Sequence, residues 1–191
     1  MIGWIVPDDT RRKVGAPSAF FLEHQIRLIQ SAPLGPTLDV ACGHGRHAIA
    51  AADLGLSVVA VDRDAQALDR IARVSPRAGG RIETIQADLE NAPRPPFERA
   101  HFGAILVFRY LHRPLCPWIQ SLLTVGGVLL YETFTREQKE LGWGPKRDEF
   151  LLQPGELPRL FPGLRVEVHE EGPSRDDRAP QTARLLAINA A

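Results

Sequence analysis

Leu38-Asp39-Val40-Ala41-Cys42-Gly43-His44-Gly45-Arg46-His47 carries an apolar strand through a glycine turn straight onto a helix. That junction lets backbone N–H groups approach a nucleotide-like ligand closely, because Gly43 and Gly45 have no Cβ to block the approach. Asp39 adds a carboxylate at the ligand's polar end. The stretch predicts a cofactor site, and the segments on either side predict the sheet that holds it.

Upstream, Ser18 to Ser31 has Leu22, Ile26 and Ile29 at helical spacing, with Pro33 and Gly35 ending the helix. Strand one follows at 37–41. Downstream, Ala48, Ile49, Ala52 and Leu54 make a small-residue helix that Gly55 terminates, and Ser57 to Val61 is a short buried strand. A second unit repeats the rhythm. Asp64 caps a helix carrying Leu68 and Ile71, Pro76 and Gly79-Gly80 interrupt it, and Ile82 to Gln86 is strand-like. Asn91 to Glu98 is a proline-rich loop, and Gly103 to Phe108 is an unbroken apolar run typical of a central parallel strand. Leu115, Trp118, Ile119, Leu122 and Leu123 line one helical face before Gly126-Gly127 turns the chain into a fifth strand, Val128 to Tyr131. Residues 135–155 are polar and glycine-punctuated, an excursion from the edge of the sheet placed to cover a site. After a brief helix near Pro154–Phe161, Leu164–Val168 and Thr182–Ile188 read as a closing antiparallel hairpin.

The length of 191 residues fits one domain, 1–191, able to bury its own core. Segment 1–35 is a second candidate cover, and Trp4, Phe20, Phe21 and Trp143 fall in stretches that could fold over the pocket. The 23 basic and 23 acidic side chains cancel, which argues against nucleic acid or an anionic membrane as partner. A small, nearly neutral ligand suits that balance better. The two cysteines, Cys42 and Cys116, lack metal-ligand spacing, so no metal is expected and both are read as reduced thiols of a cytoplasmic protein. The first residues lack the basic and apolar regions of a signal peptide. Apolar runs fall short of the roughly 18 residues that span a bilayer, so no membrane is expected.

Gly43-x-Gly45-x-x-Ala48 also satisfies the dinucleotide fingerprint, and Asp62 follows Gly45 by 17 positions, near the ~20-residue spacing of a ribose acid. Asp62 ends strand two, where a carboxylate can accept both ribose hydroxyl protons; helix capping is the plainer role. Arg63 beside it could lie over an adenine face. Arg46 and His47 open a helix, where a cation opposes the dipole and implies a local anionic partner such as a cofactor carboxylate.

Five alternating strand–helix units, a terminal hairpin and this glycine turn together make the chain resemble the class I S-adenosylmethionine-dependent methyltransferases, over essentially its full length. The family's first motif is an acidic residue followed by Gly-x-Gly-x-Gly. Asp39, Ala41, Gly43 and Gly45 occupy its positions, with Ala41 where the first glycine is usual. Arg109 to Pro114 and Tyr131 to Phe134 look most like small bacterial tellurite-resistance-type methyltransferases.

The resemblance implies an α/β fold, a Rossmann-like seven-stranded sheet, mostly parallel with an antiparallel last strand and helices on both faces. It implies S-adenosyl-L-methionine as cofactor and S-adenosyl-L-homocysteine as product. Asp39 would contact the methionine end. Asp88 would bond the adenine amino group with the Leu89 N–H beside it, unless it is a surface turn acid. Phe108 and Arg109 would flank the methionine end, and Tyr110 and His112 would face the transferred methyl. His112 has the titration range of a general base, although a loop histidine is more often a structural hydrogen-bonder. Glu132 would orient a substrate or pair with an arginine, and Arg109, Glu132 and Trp143 would line the acceptor pocket.

The expected reaction is in-line methyl transfer to a small-molecule nucleophile. No basic stripe and no Asn-Pro-Pro-Tyr-type motif points to nucleic acid or protein as acceptor. The competing readings are a non-catalytic S-adenosylmethionine-binding protein and an NAD(P)-binding oxidoreductase.

Overall fold

The structure, a computed structural model, describes residues 14–74, 79–91, 95 and 97–190. The first 13 residues of the expected N-terminal cover, Trp4 among them, and Pro76 lie outside the described residues, as does most of 92–96.

Seven strands form one sheet: β1 (Thr37–Val40), β2 (Ser57–Asp62), β3 (Arg81–Gln86), β4 (Phe102–Phe108), β5 (Leu123–Phe134), β6 (Arg165–Pro173) and β7 (Gln181–Ile188). Their order is β3-β2-β1-β4-β5-β7-β6, parallel throughout except at the two pairings of β7. The chain leaves β1 toward β2 on one side and returns at β4 on the other. That switch point opens a crevice beyond the carboxyl ends of β1 and β4.

Burial explains the order. All of β1 and all of β4 are buried, as strands sandwiched between helices must be, and β4 is a continuous apolar run. The edge strand β6 instead carries Arg165, Glu167, Glu170 and Glu171, charges that keep an unpaired edge from recruiting another chain. One face is covered by α1 (Ala19–Glu23), α2 (Gln25–Ser31) and α3 (Arg46–Asp53), packed through Phe20, Phe21, Leu28, Ala48, Ala51 and Ala52. There α4 (Ala65–Ala72) adds Leu68 and Ile71 against Ile49 of α3. The other face is covered by α5 (Cys116–Leu122) and α6 (Glu156–Arg159), through Ile119, Leu122, Leu157 and the nearby Phe161.

Two expectations are corrected. The helix expected at Ser18–Ser31 is broken at His24 (φ −108°, ψ 11°), which resets its phase. Phe20, Phe21, Leu28 and Ser31 are buried, whereas Leu22, Ile26 and Ile29 are 47, 65 and 44 % exposed. The two phenylalanines anchor α1 and leave the apolar stripe outward. The fifth strand is also longer than its Val128–Tyr131 core. It begins at Leu123, and residues 124–127 bulge from the ladder between the Phe102–Leu123 and Ala104–Val128 pairs, with Gly126 N–H donating to the Asn189 carbonyl at 2.7 Å.

The 135–155 excursion leaves the carboxyl end of β5, an interior strand. Its return is pinned by fully buried Leu151 and Leu152, and by Arg113, which donates to the Glu156 carboxylate (2.5 and 3.0 Å) and to the carbonyls of Glu149 and Leu151.

Candidate active site

The crevice at the switch point is a cleft with two lobes. The larger, about 490 Å³, is lined by Asp62, Arg63, Asp88, Leu89 and Tyr110, and across from them by Thr133, Phe134, Pro145 and Phe150. The smaller, about 350 Å³, is lined by Asp39, Gly43, Arg46, His47 and Phe108 among others. Ala41 and Arg109 line both and mark the junction.

Three residues of the turn have left-handed backbone: Ala41 (φ 53°), Gly43 (φ 53°) and Gly45 (φ 79°). The two glycines serve different ends. A Cβ built on Gly43 would meet nothing within 4 Å, so that position faces open cleft; one on Gly45 would fall 2.5 Å from Cγ1 of Ile71. Gly45 therefore permits the approach of α4 and lines neither lobe. Ala41 holds a conformation that costs an L-residue roughly 1–2 kcal/mol, offset in part by the ~0.5–1 kcal/mol of extra unfolded-state freedom a glycine would bring. Ala41→Gly is accordingly expected to stabilise the protein by about 0.5–1 kcal/mol in urea titration. An unchanged midpoint would mean that the turn has relaxed around the methyl.

Asp62 ties the turn to β2: one carboxylate oxygen accepts the Gly43 N–H at 2.7 Å, the other the Asp64 N–H at 2.9 Å. Capping falls to Asp64, whose Oδ1 accepts from Gln66 and Ala67 at the start of α4. Asp39 is 2 % exposed at the base of the smaller lobe, and its Oδ2 is buried without a hydrogen-bond partner. Burial pushes its carboxyl up to about 7, against the opposing pull of the Ala48 N–H and the Arg46 cation. Asp88 forms an Asx turn, with Oδ1 accepting the Glu90 and Asn91 N–H groups and Oδ2 the Asn91 amide, and these bonds hold it below the usual carboxylate range.

His47 has a role its sequence position did not reveal. Its ring stacks on Phe108 at 3.7 Å between centroids and its Nε2 accepts the Ser18 N–H at 3.1 Å, so it seats α1 beside the smaller lobe. Burial, followed by Arg46 and Arg109, holds it well below its ordinary range. It is thus a neutral acceptor, and of the pair that opens α3 only Arg46 is a cation. A second anchor is Asp176, in the β6–β7 turn, which accepts the Ala19 N–H at 2.7 Å and pairs with Arg109 at 3.4 Å. No local sequence pattern could signal a partner 157 positions away.

Four of the expected site residues line neither lobe: Gly45, His112, Glu132 and Trp143. His112 precedes a 3-10 turn at Arg113–Leu115, its carbonyl accepting the Leu115 N–H. Glu132 is buried, one oxygen bonded to the Thr182 hydroxyl and the other without a partner, and burial raises its pKa. Trp143 stands edge-on to Phe134 with the Arg178 guanidinium 4.1 Å over its ring. Tyr110 reaches the larger lobe, near Asp88 and Glu90; its hydroxyl is buried, and burial and Glu90 push it up. Sequence reading missed Thr133, Phe134, Pro145 and Phe150 as cleft walls. Among the described residues no group of His, Cys, Asp and Glu could hold a metal ion, and no helix is long and apolar enough to cross a membrane.

Residues 37–125 match the family described as a methyltransferase domain. The S-adenosylmethionine-dependent methyltransferase from Mesorhizobium loti is similar in structure, with a TM-score of 0.64 at 17 % identity, covering 89 % of this chain and 98 % of that one. The N-methyltransferase NodS from Bradyrhizobium japonicum WM9 gives 0.62 at 14 % (90 % and 97 % covered), and TehB from Haemophilus influenzae gives 0.63 at 17 % (85 % and 61 % covered). No curated protein matches. The fold is that of the S-adenosylmethionine-dependent methyltransferases. The match over residues 37–125 covers β1 through the start of β5, the part of the sheet that carries the glycine turn.

Proposed function

We propose that the protein transfers a methyl group from S-adenosylmethionine to a small-molecule nucleophile, by in-line displacement within this cleft. The two-lobed cleft carries the reading. It straddles the glycine turn with a rim carboxylate, Asp62, in one lobe and the partnerless Asp39 oxygen in the other, which suits a ligand that is a nucleoside at one end and an amino acid at the other. The residues fit the group.

Asp62 has a second lone pair on each oxygen for the ribose hydroxyls, and in this reading Asp88 and the Leu89 N–H, which line the same lobe, take the adenine edge and Arg63 its face. Asp39 meets the ammonium and Arg46 the carboxylate of the methionine end. When bound, the cofactor supplies a methyl already activated on a sulfonium. The chain's task is to align the acceptor and exclude water. Because His112 lies outside the cleft lining and Tyr110 is turned to the adenosine side, alignment rather than proton removal is the chain's contribution, with Arg109, Phe134 and Phe150 around the acceptor.

Calorimetry with S-adenosylhomocysteine tests this. The wild-type protein is expected to bind it, and Gly43→Ala to bind at least about a hundredfold more weakly, because the added methyl enters the lobe. Stability should fall only by about 0.5–1 kcal/mol, the cost of a left-handed alanine less the unfolded-state freedom that the glycine loses. A wild-type protein that ignores the ligand, or a Gly43→Ala variant that binds it equally well, would refute the proposal.

A further inference from the structure

We infer that the acceptor is a small carboxylic acid with a flat apolar body, its carboxylate taken by Arg109; this rests on the cofactor reading above. Arg109 ends β4 in a left-handed conformation (φ 58°), fixed there by its N–H donating to the Glu132 carbonyl at 2.7 Å. A bulky residue persists in such backbone only where its surroundings hold it, and these outliers gather at ligand sites. The strained backbone sets the guanidinium at the junction of the lobes, its side chain 39 % exposed.

Arg109 is the cation at that junction which the cofactor leaves unanswered, because Arg46 then faces the cofactor carboxylate and Asp39 its ammonium. Asp176, the one carboxylate paired with Arg109 among the described residues, offers a single contact at 3.4 Å while its other oxygen holds the Ala19 N–H at 2.7 Å. A carboxylate on the acceptor would present two oxygens to the planar guanidinium, a stronger arrangement than the existing one-point contact.

The walls define the rest of the molecule. Phe134 lies beneath the guanidinium, 6.0 Å from ring centroid to Cζ, and Pro145 and Phe150, the latter 37 % exposed, complete an apolar side opposite the adenosine wall. Those surfaces would be idle around a bare inorganic oxyanion.

The test is calorimetry on protein saturated with S-adenosylhomocysteine, using 4-hydroxybenzoate, 4-hydroxybenzamide and selenite as probes. The acid is expected to bind at least about tenfold more tightly than the amide or selenite. Arg109→Gln should erase the difference between acid and amide. Asp176→Asn keeps an acceptor for the Ala19 N–H but removes the competing charge, and should tighten the acid severalfold without moving the amide, which a merely structural Arg109 would not do. Equal binding of acid and amide, tighter binding of selenite, or no binding of either aromatic probe to the loaded protein overturns the inference and leaves the cofactor reading standing. Failure of S-adenosylhomocysteine itself to bind overturns both.

Discussion

Asp62→Ala is expected to weaken S-adenosylhomocysteine binding by a hundredfold or more and to lower stability by about 2 kcal/mol. Two effects combine. The carboxylate holds the Gly43 and Asp64 N–H groups at 2.7 and 2.9 Å, so its loss strips the glycine turn of its tie to β2 before any ligand arrives. Hydrogen bonds to a charged group contribute about 1.5–3 kcal/mol each when buried and less at a half-exposed rim, which sets the stability figure. The ribose then loses its charged acceptor as well, and the ligand must order a loosened loop from its own binding energy. Asp62→Asn separates the effects, because the amide keeps one acceptor and should retain more stability than affinity. Chemical denaturation and calorimetry on both variants give the comparison. Binding by Asp62→Ala within about threefold of wild type would remove Asp62 from the site.

The second large effect concerns pH. In the folded protein Asp39 titrates at about 7, against roughly 3.9 in an unfolded chain. Between those values the folded state holds a proton that the unfolded state has lost. Asp39 therefore disfavours folding progressively as pH rises from about 4 through 7, and its whole penalty is present above 7. Three units correspond to about 4 kcal/mol, an upper figure for a site that hydration can relieve. Asp39→Asn removes this dependence. The variant should be a few kcal/mol more stable than wild type at pH 8, with the gain vanishing toward pH 4. It should also lose most of its cofactor affinity, since a neutral amide cannot answer an ammonium. In wild type, the arriving ammonium should expel the proton, and calorimetry at pH 6.5 in buffers of different ionisation enthalpy will register its release. A variant with the wild-type slope of stability against pH would reassign the titration to another group.

The parts of this molecule that were legible in its sequence are those that neighbours in the chain determine. β2 and β4 announce themselves as apolar runs because helices cover both of their faces, and the turn after β1 is visible because its glycines adopt left-handed backbone. Asp62 and Asp88 could be put at the cleft because one ends β2 and the other follows β3 by two residues, strands whose boundaries were visible. What stayed hidden depends on contacts across the fold. Leu22, Ile26 and Ile29 formed a convincing stripe, yet two adjacent phenylalanines outweigh it once His24 breaks the helix. Gly45 looked like a ligand glycine until Ile71, 26 positions later, was packed against it. His47 and Asp176 have no pattern to betray them, since each serves a helix lying far away in the chain. His112 and Tyr110 were expected together at the methyl, but only Tyr110 lines the cleft, beside Asp88 and Glu90, while His112 leads into the 3-10 turn that follows.

The seat of α1 draws on the far end of the chain: Asp176 holds its first turn, Arg175 pairs with Glu23, and Arg27 of α2 pairs with Glu167. Synthesis runs the other way. By the time β5 has emerged, the glycine turn, Asp62, Asp88 and Arg109 have all been made, so the lobes can form around a cofactor. The helix that flanks them has its His47 contact early but gains its second anchor, Asp176, only 157 residues after Ala19. A ribosome-bound chain would hold an open-sided pocket, and the finishing of β6 and β7 would act as the timer that closes the wall beside it.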